Sequence, residues 1–151
     1  EHIPDLKLII CGVGEEQNLL KLLIKKKGRE KNIILAGYVQ NIFYALKNSK
    51  FFILTSEWED PGFVIIESMY CNKIVLSSNC ESGPLEIISH KVNGYLFEKN
   101  NTQDFINNFI EINNLIDNNN ENITKMKIRA KRKTLNYSLF RHYSILKKTF
   151  N

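Results

Sequence analysis

Short apolar runs alternate along this chain with turn residues and helical stretches, and that alternation limits the fold more than any other feature. Residues 6–10, 32–36, 51–54, 73–77 and 95–97 each have the length and residue types of a strand buried in a core. Between them, residues 15–26, 42–48, 61–70 and 84–89 read as helices, and residues 101–116 form a longer amphipathic one. An Asn-rich linker spans 117–122, a basic helix runs over 123–134, and Ser138 can cap a last helix over 139–150. Strand–helix alternation predicts an α/β domain with a parallel sheet flanked by helices. Ligands bind such sheets outside the carboxyl ends of the strands.

One stretch carries more chemistry than the rest: FFILTSEWEDPGFVIIESMY, residues 51–70. An apolar strand leads through a polar turn into a helix, with Asp60 as expected N-cap and Pro61 at the first helical position. The first N–H groups of such a helix lack partners inside it. Gly62 leaves room for a ligand to reach the amides of Gly62, Phe63 and Val64, an anion site suited to phosphate. Glu59 lies just before the helix, and Glu67 one turn into it on the side of Phe63. A carboxylate can accept from two vicinal sugar hydroxyls at once. Without a ligand, the same residues read as an ordinary capped turn with two surface glutamates.

Other loops are less specific. Gly12-Val13-Gly14 either turns a strand into a helix or lets a ligand approach the backbone. Glu15 and Glu16 would suit the dipole of that helix but repel a phosphate, so a wall role is expected there. Ser82-Gly83-Pro84 and Asn93-Gly94 are turn signals. Glu86 can cap or brace the first of these, and His90 is expected at the surface. Trp58 either stacks on a sugar or fills the core.

At 151 residues the chain is one domain in size, with 43% hydrophobic and 25% charged residues, which argues against disorder. No apolar run approaches the ~20 residues that span a bilayer. No signal peptide is visible and no Met begins the sequence, so it reads as a piece of something longer. Three cysteines without metal spacing argue against a disulfide framework. Cys11 and Cys71, in apolar surroundings, are expected as buried free thiols in a reducing compartment. From Ile123 onward there are nine basic residues and no acidic one, while twelve basic residues face sixteen acidic ones before it. A basic end on a mildly acidic body suits an anionic contact.

The stretch SEWEDPGFVIIESM resembles the E-x7-E signature of family 4 glycosyltransferases, with Glu59 and Glu67 at the two signature positions. VLSSNCESGPLEIISHKVNGYLF at 75–97, GVG at 12–14 and GYV at 37–39 match the same family in the same order, so the resemblance covers residues 6–115. It implies a Rossmann-like half of a GT-B fold: the C-terminal, nucleotide-sugar-binding domain of a retaining enzyme. The family's leading strand, whose Arg and Lys grip the diphosphate, would precede Glu1. The resemblance divides the chain into a donor-binding domain, 1–118, and basic C-terminal helices, 119–151, that pack on an N-terminal domain. It implies transfer of a hexosyl group from a UDP-sugar, or GDP-sugar, to an acceptor hydroxyl in bacterial glycan synthesis, without a metal cofactor. Glu67 is similar to the ribose ligand and Glu59 to the residue near the anomeric carbon. Gly12 and Gly14, in the matching GVG, are expected among the donor-binding residues, in the wall role that Glu15 and Glu16 leave to this loop. Either the backbone near Tyr38 and Val39 meets the nucleobase, with Tyr38 as its wall, or both residues merely end a strand in the core. A glycan or lipid-linked acceptor would bind through the N-terminal domain. Most lysines of the basic end read as a solvated face, with attachment to an anionic membrane surface as the sharper alternative. The expectation is a cytoplasmic protein that is at most peripheral at the inner membrane face. Rival readings are a nucleotide-sugar-binding module without turnover and a GT-B epimerase acting on the same sugars. A nucleic-acid-binding role finds no sequence fingerprint in the basic end.

Overall fold

The structure, a computed structural model, describes residues 6–150. The chain forms two compact units, Glu1–Ile42 and Phe43–Asn151. The smaller contains strand β1 (Leu8–Cys11), helix α1 (Gln17–Lys26) and strand β2 (Ile33–Gly37). The two strands pair in parallel, Leu8 opposite Ile33 and Cys11 opposite Gly37, with a register irregularity between Ile10 and Cys11. None of its described residues is buried. This corrects the expectation of a buried first strand: Leu8 is 39% and Ile9 53% exposed. Leu19, Leu22 and Leu23 of α1 are exposed too. The helix begins at Gln17, so Glu15 and Glu16 precede its first turn. Gly28, at φ +60°, follows Lys27 where the helix ends.

The larger unit holds most of helix α2 (Ile42–Asn48), then β3 (Phe52–Leu54), α3 (Phe63–Tyr70), β4 (Val75–Ser78), α4 (Pro84–Ile87) and β5 (Tyr95–Phe97). It continues with α5 (Thr102–Asp117), α6 (Glu121–Thr134), a 3-10 turn (Leu135–Tyr137) and α7 (Leu139–Phe150). Its sheet is parallel in the order β3-β4-β5. All four residues of the central strand β4 are buried, as a strand covered on both faces requires. Alternate residues feed two cores. Ile74 and Leu76 join Tyr95, Phe97, Ile112, Ile123 and Met126, while Val75 joins Ile65, Met69, Ile87, Ile88 and Ala130.

Polar residues set the ends of the long helices. Asn101 caps α5, accepting from the Asp104 N–H at 3.0 Å. Asn120 caps α6, accepting from the Asn122 N–H at 2.9 Å, and Asn119 takes a left-handed turn just before it. The expected linker thus shortens to Asn118–Asn120, because its asparagines are the turn and the cap. Ser138 accepts from the Arg141 N–H at 3.3 Å, as the sequence anticipates. Helix α6 is built into this unit through Ile123, Met126 and Ala130, whereas Leu139 and Phe140 of α7 are 89% and 81% exposed. Cys80 is the buried thiol; Cys11 and Cys71 are half-buried, against expectation. The apolar neighbours of those two in sequence do not enclose them in space. Among the described residues no helix is long and apolar enough to cross a membrane.

Candidate functional site

At the carboxyl end of β3 the chain turns back into α3, and the turn differs from its expected form. Asp60 does not cap the helix and Pro61 is not in it. Gly62 is the N-cap, at φ 73° and ψ 44°, with no side-chain cap, and the Asp60–Pro61 peptide is cis. The left-handed backbone at Gly62 reverses the chain, so helical geometry starts only at Phe63. The expected amide donors stay unpaired after this shift. The Ile65 N–H is spent on the Gly62 carbonyl at 2.9 Å, whereas the amides of Gly62, Phe63 and Val64 have no partner among the described residues. Three free donors at the positive end of a helix attract a negative group.

Glu59 is half-buried and held. The Ser56 hydroxyl donates to its Oε1 at 2.6 Å. The hydroxyl of buried Ser78, on β4, donates in turn to the Ser56 carbonyl. The other oxygen, Oε2, lies 3.8 Å from where a Cβ on Gly62 would be. Thus one oxygen is fixed while the other faces the helix start. Glu67 is half-buried one turn into α3, and its carboxylate has no hydrogen bond or ion pair among the described residues. Trp58 and Phe63 are 72% and 62% exposed, so neither fills the core.

The loop after β4 braces this turn. A Cβ added at Gly83 would sit 2.5 Å from the Pro61 carbonyl oxygen, so the two backbones touch where only glycine fits. Glu86 contributes through its backbone, its N–H donating to the Gly83 carbonyl at 3.1 Å. Burial, then the charge of Glu86, pushes the Tyr137 phenol up. His90 is exposed, as expected, and its Nδ1 accepts from the Leu96 N–H at 3.0 Å, a structural role.

In the smaller unit, Gly12–Gly14 follow β1 and Tyr38–Val39 follow β2, at one edge of that parallel pair. The Gly12 N–H donates to the Gly37 carbonyl at 2.7 Å, and Gly12 takes φ +123°. Tyr38 is 79% exposed, which removes the core alternative for it; Val39 is half-buried. Sequence reasoning missed Ser56 and Ser78, and read Gly83 as a turn residue without its contact to Pro61. Ser56, three residues before Glu59, carried a visible signal: a short hydroxyl side chain at a spacing that bonds back locally. Among the described residues no group of three or more His, Cys, Asp or Glu is placed to hold a metal ion.

A parallel α/β layer with unpaired helix-start amides beside two acidic side chains is a geometry that can receive an anion, and comparison narrows the class. The family model for glycosyl transferases, group 1, matches residues 1–133, and the chain belongs to that family. It is 40% identical over 93 residues to an uncharacterised glycosyltransferase of Methanocaldococcus jannaschii, 62% of this chain and 23% of that one. It is 29% identical over 109 residues to a poly(ribitol-phosphate) α-N-acetylglucosaminyltransferase of Staphylococcus aureus, 72% of this chain and 22% of that one. The crystal structure of TarM superposes with TM-score 0.81 at 29% identity, covering 96% of this chain and 28% of TarM. The chain spans about a quarter of the length of these curated relatives.

Proposed function

We propose that the chain is the donor-binding part of a retaining, family 4 glycosyltransferase of the GT-B type. It would move a hexosyl group from a UDP-sugar, or GDP-sugar, to an acceptor hydroxyl in glycan synthesis. The observation that carries this reading is the set of unpartnered amides at Gly62, Phe63 and Val64 between Glu59 and Glu67. A departing diphosphate gains negative charge as the glycosidic bond breaks. Fixed N–H donors stabilise that charge without reorganising, so no divalent cation is required for it. Glu67, with both oxygens free, takes the ribose hydroxyls. Glu59, oriented by Ser56, faces the sugar near its anomeric carbon. On the resemblance alone, Tyr38 and Val39 are assigned to the nucleobase; Gly12 and Gly14 take a wall role, because Glu15 and Glu16 after them would repel a phosphate.

Relatives support a uridine donor. An Escherichia coli relative, 31% identical over 111 residues, is named for transfer from UDP-Gal to a diphosphoundecaprenol-linked sugar. A TarM variant at 29% identity has been crystallised with UDP. The acceptor, glycan or lipid-linked, belongs to a further domain against which α7 would pack. Arg141, Lys147 and Lys148 of that helix would add a peripheral contact at the cytoplasmic membrane face.

Calorimetric titration with UDP, GDP and their sugar conjugates tests the reading. One nucleotide should bind, and Glu67→Ala should weaken it at least about tenfold by removing two ribose hydrogen bonds. Folded protein that binds none of them even with the Arg- and Lys-bearing segment before Glu1 restored, or a Glu67→Ala variant that binds as well as the parent, would reject the assignment.

A further inference from the structure

The larger unit carries a groove at the opposite end of α3 from the candidate donor site. Tyr70, the last residue of α3, and one side of α6 enclose a groove of about 520 Å³. Lys127, Ile128, Lys131 and Arg132 line it from α6, and Leu135 continues the line into the 3-10 turn. Their spacing of three and four residues makes them one stripe. It is apolar and basic together. Tyr70, Ile128 and Leu135 are 61%, 50% and 65% exposed.

The charges here are uncompensated. Lys50, Lys91 and Lys125 each pair with a carboxylate within 2.8 Å. Lys127, Lys131 and Arg132 form no ion pair among the described residues, and no carboxylate lines the groove. Lys131 Nζ instead lies 5.7 Å from the centre of the Tyr70 ring. The field of Lys127 reaches inward as well: after burial, it is the next cause lowering the pKa of Lys73.

Shape selects among anionic occupants. A bilayer is flat and cannot fill a concavity whose exposed apolar groups form its walls. An amphipathic helix can, because helices recognise grooves through anchors at this same periodicity. The stripe from Lys127 to Leu135 runs about 12 Å at ~1.5 Å per residue, room for roughly two turns of a helix lying alongside. We propose that this groove docks an acidic amphipathic helix of a partner protein. Its apolar anchors lie between Tyr70, Ile128 and Leu135, and its carboxylates meet Lys127, Lys131 and Arg132. The proposal does not depend on the donor-site reading.

The test uses the full-length protein and two synthetic peptides of identical Leu and Glu composition. One places Leu at i, i+3, i+4 and i+7; the other is scrambled. In calorimetry at ~0.15 M salt, where exposed charges are screened over about 8 Å, the patterned peptide should bind at least tenfold tighter. Ile128→Ser and Lys131→Glu should each weaken it about tenfold, as anchor truncations and charge reversals at docking sites do. Both positions are exposed, so their thermal midpoints should match the parent. Equal binding of the two peptides would reduce the groove to a non-specific charge patch and overturn the proposal. So would an Ile128→Ser variant that binds like the parent. Failure of the patterned peptide to bind would overturn it too, and binding to phosphatidylglycerol vesicles that Lys131→Glu abolishes would then assign the surface to a membrane.

Discussion

At the scale of single residues, the arrangement around Glu59 turns on a side chain that never needs to touch a ligand. Ser56 donates to Glu59 Oε1 at 2.6 Å and is itself tied to β4 through the Ser78 hydroxyl. If Glu59 orients the donor, Ser56→Ala should slow sugar transfer about tenfold with UDP affinity nearly unchanged, since small misplacements near reacting atoms cost rate. A double-mutant cycle separates the parts. In a Glu59→Ala background, Ser56→Ala should cost nothing further. A persisting loss would mean that Ser56 acts some other way, and a Glu59→Ala enzyme of normal rate would remove Glu59 from the reaction. Gly83 is the second such residue. At φ +79°, with the Pro61 carbonyl where a Cβ would go, Gly83→Ala should destabilise the protein by about 2 kcal/mol or more in urea unfolding. The spacing of Glu59 and Glu67 and the glycine between them were legible in the sequence. The left-handed backbone at Gly62 was not, because Asp60-Pro61 is an equally good helix start by composition. Nor was the Ser56 bond, which depends on how the turn folds back.

At the scale of elements, β4 and α6 decide the stability of the larger unit. Strand β4 was recognisable from its apolar run. In the sequence α6 shows only as a basic helix, because lysines and arginines fill the positions between its apolar residues. Yet Ile123, Met126 and Ala130 recur at three- and four-residue spacing and enter both cores. Met126→Ala should therefore cost about 2–4 kcal/mol in urea unfolding, as truncation of a buried methionine does. An independent arm would show almost no change. The α5–β5 contact makes a pH prediction. Tyr95 donates to Glu111 Oε1 at 3.1 Å, and Lys91 holds Oε2 at 2.7 Å. Burial, then the charge and hydrogen bond of Glu111, raises the Tyr95 pKa far above its ordinary value. A raised folded pKa gives stability that is fully present below the unfolded value of about 10 and lost as pH climbs towards the folded one. Unfolding free energy should fall across that alkaline window, and Tyr95→Phe should flatten the fall. It should also cost about 1 kcal/mol at neutral pH for the lost hydrogen bond.

At the scale of the whole chain, the two units differ in what holds them. Their strands read alike in sequence, short and aliphatic, so composition gives no hint of a boundary near Ile42. What separates them is how much each strand is covered. In the larger unit β4 is wholly buried between two cores. In the smaller one no described residue is buried, and Leu8, Ile9 and Ile34 stand 39%, 53% and 45% exposed. Backbone hydrogen bonds on such strands exclude water poorly, and opening them exposes little additional apolar surface. Local opening free energies run from near zero at such places up to the global value in a core. In hydrogen–deuterium exchange of this 151-residue chain, the β1 and β2 amides should therefore exchange at least about a hundredfold faster than those of β4 and β5, a gap of ~2.7 kcal/mol. Equal protection in both sheets would mean that the chain opens as one cooperative body. In that case, stability in the smaller unit would come from something other than its own packing.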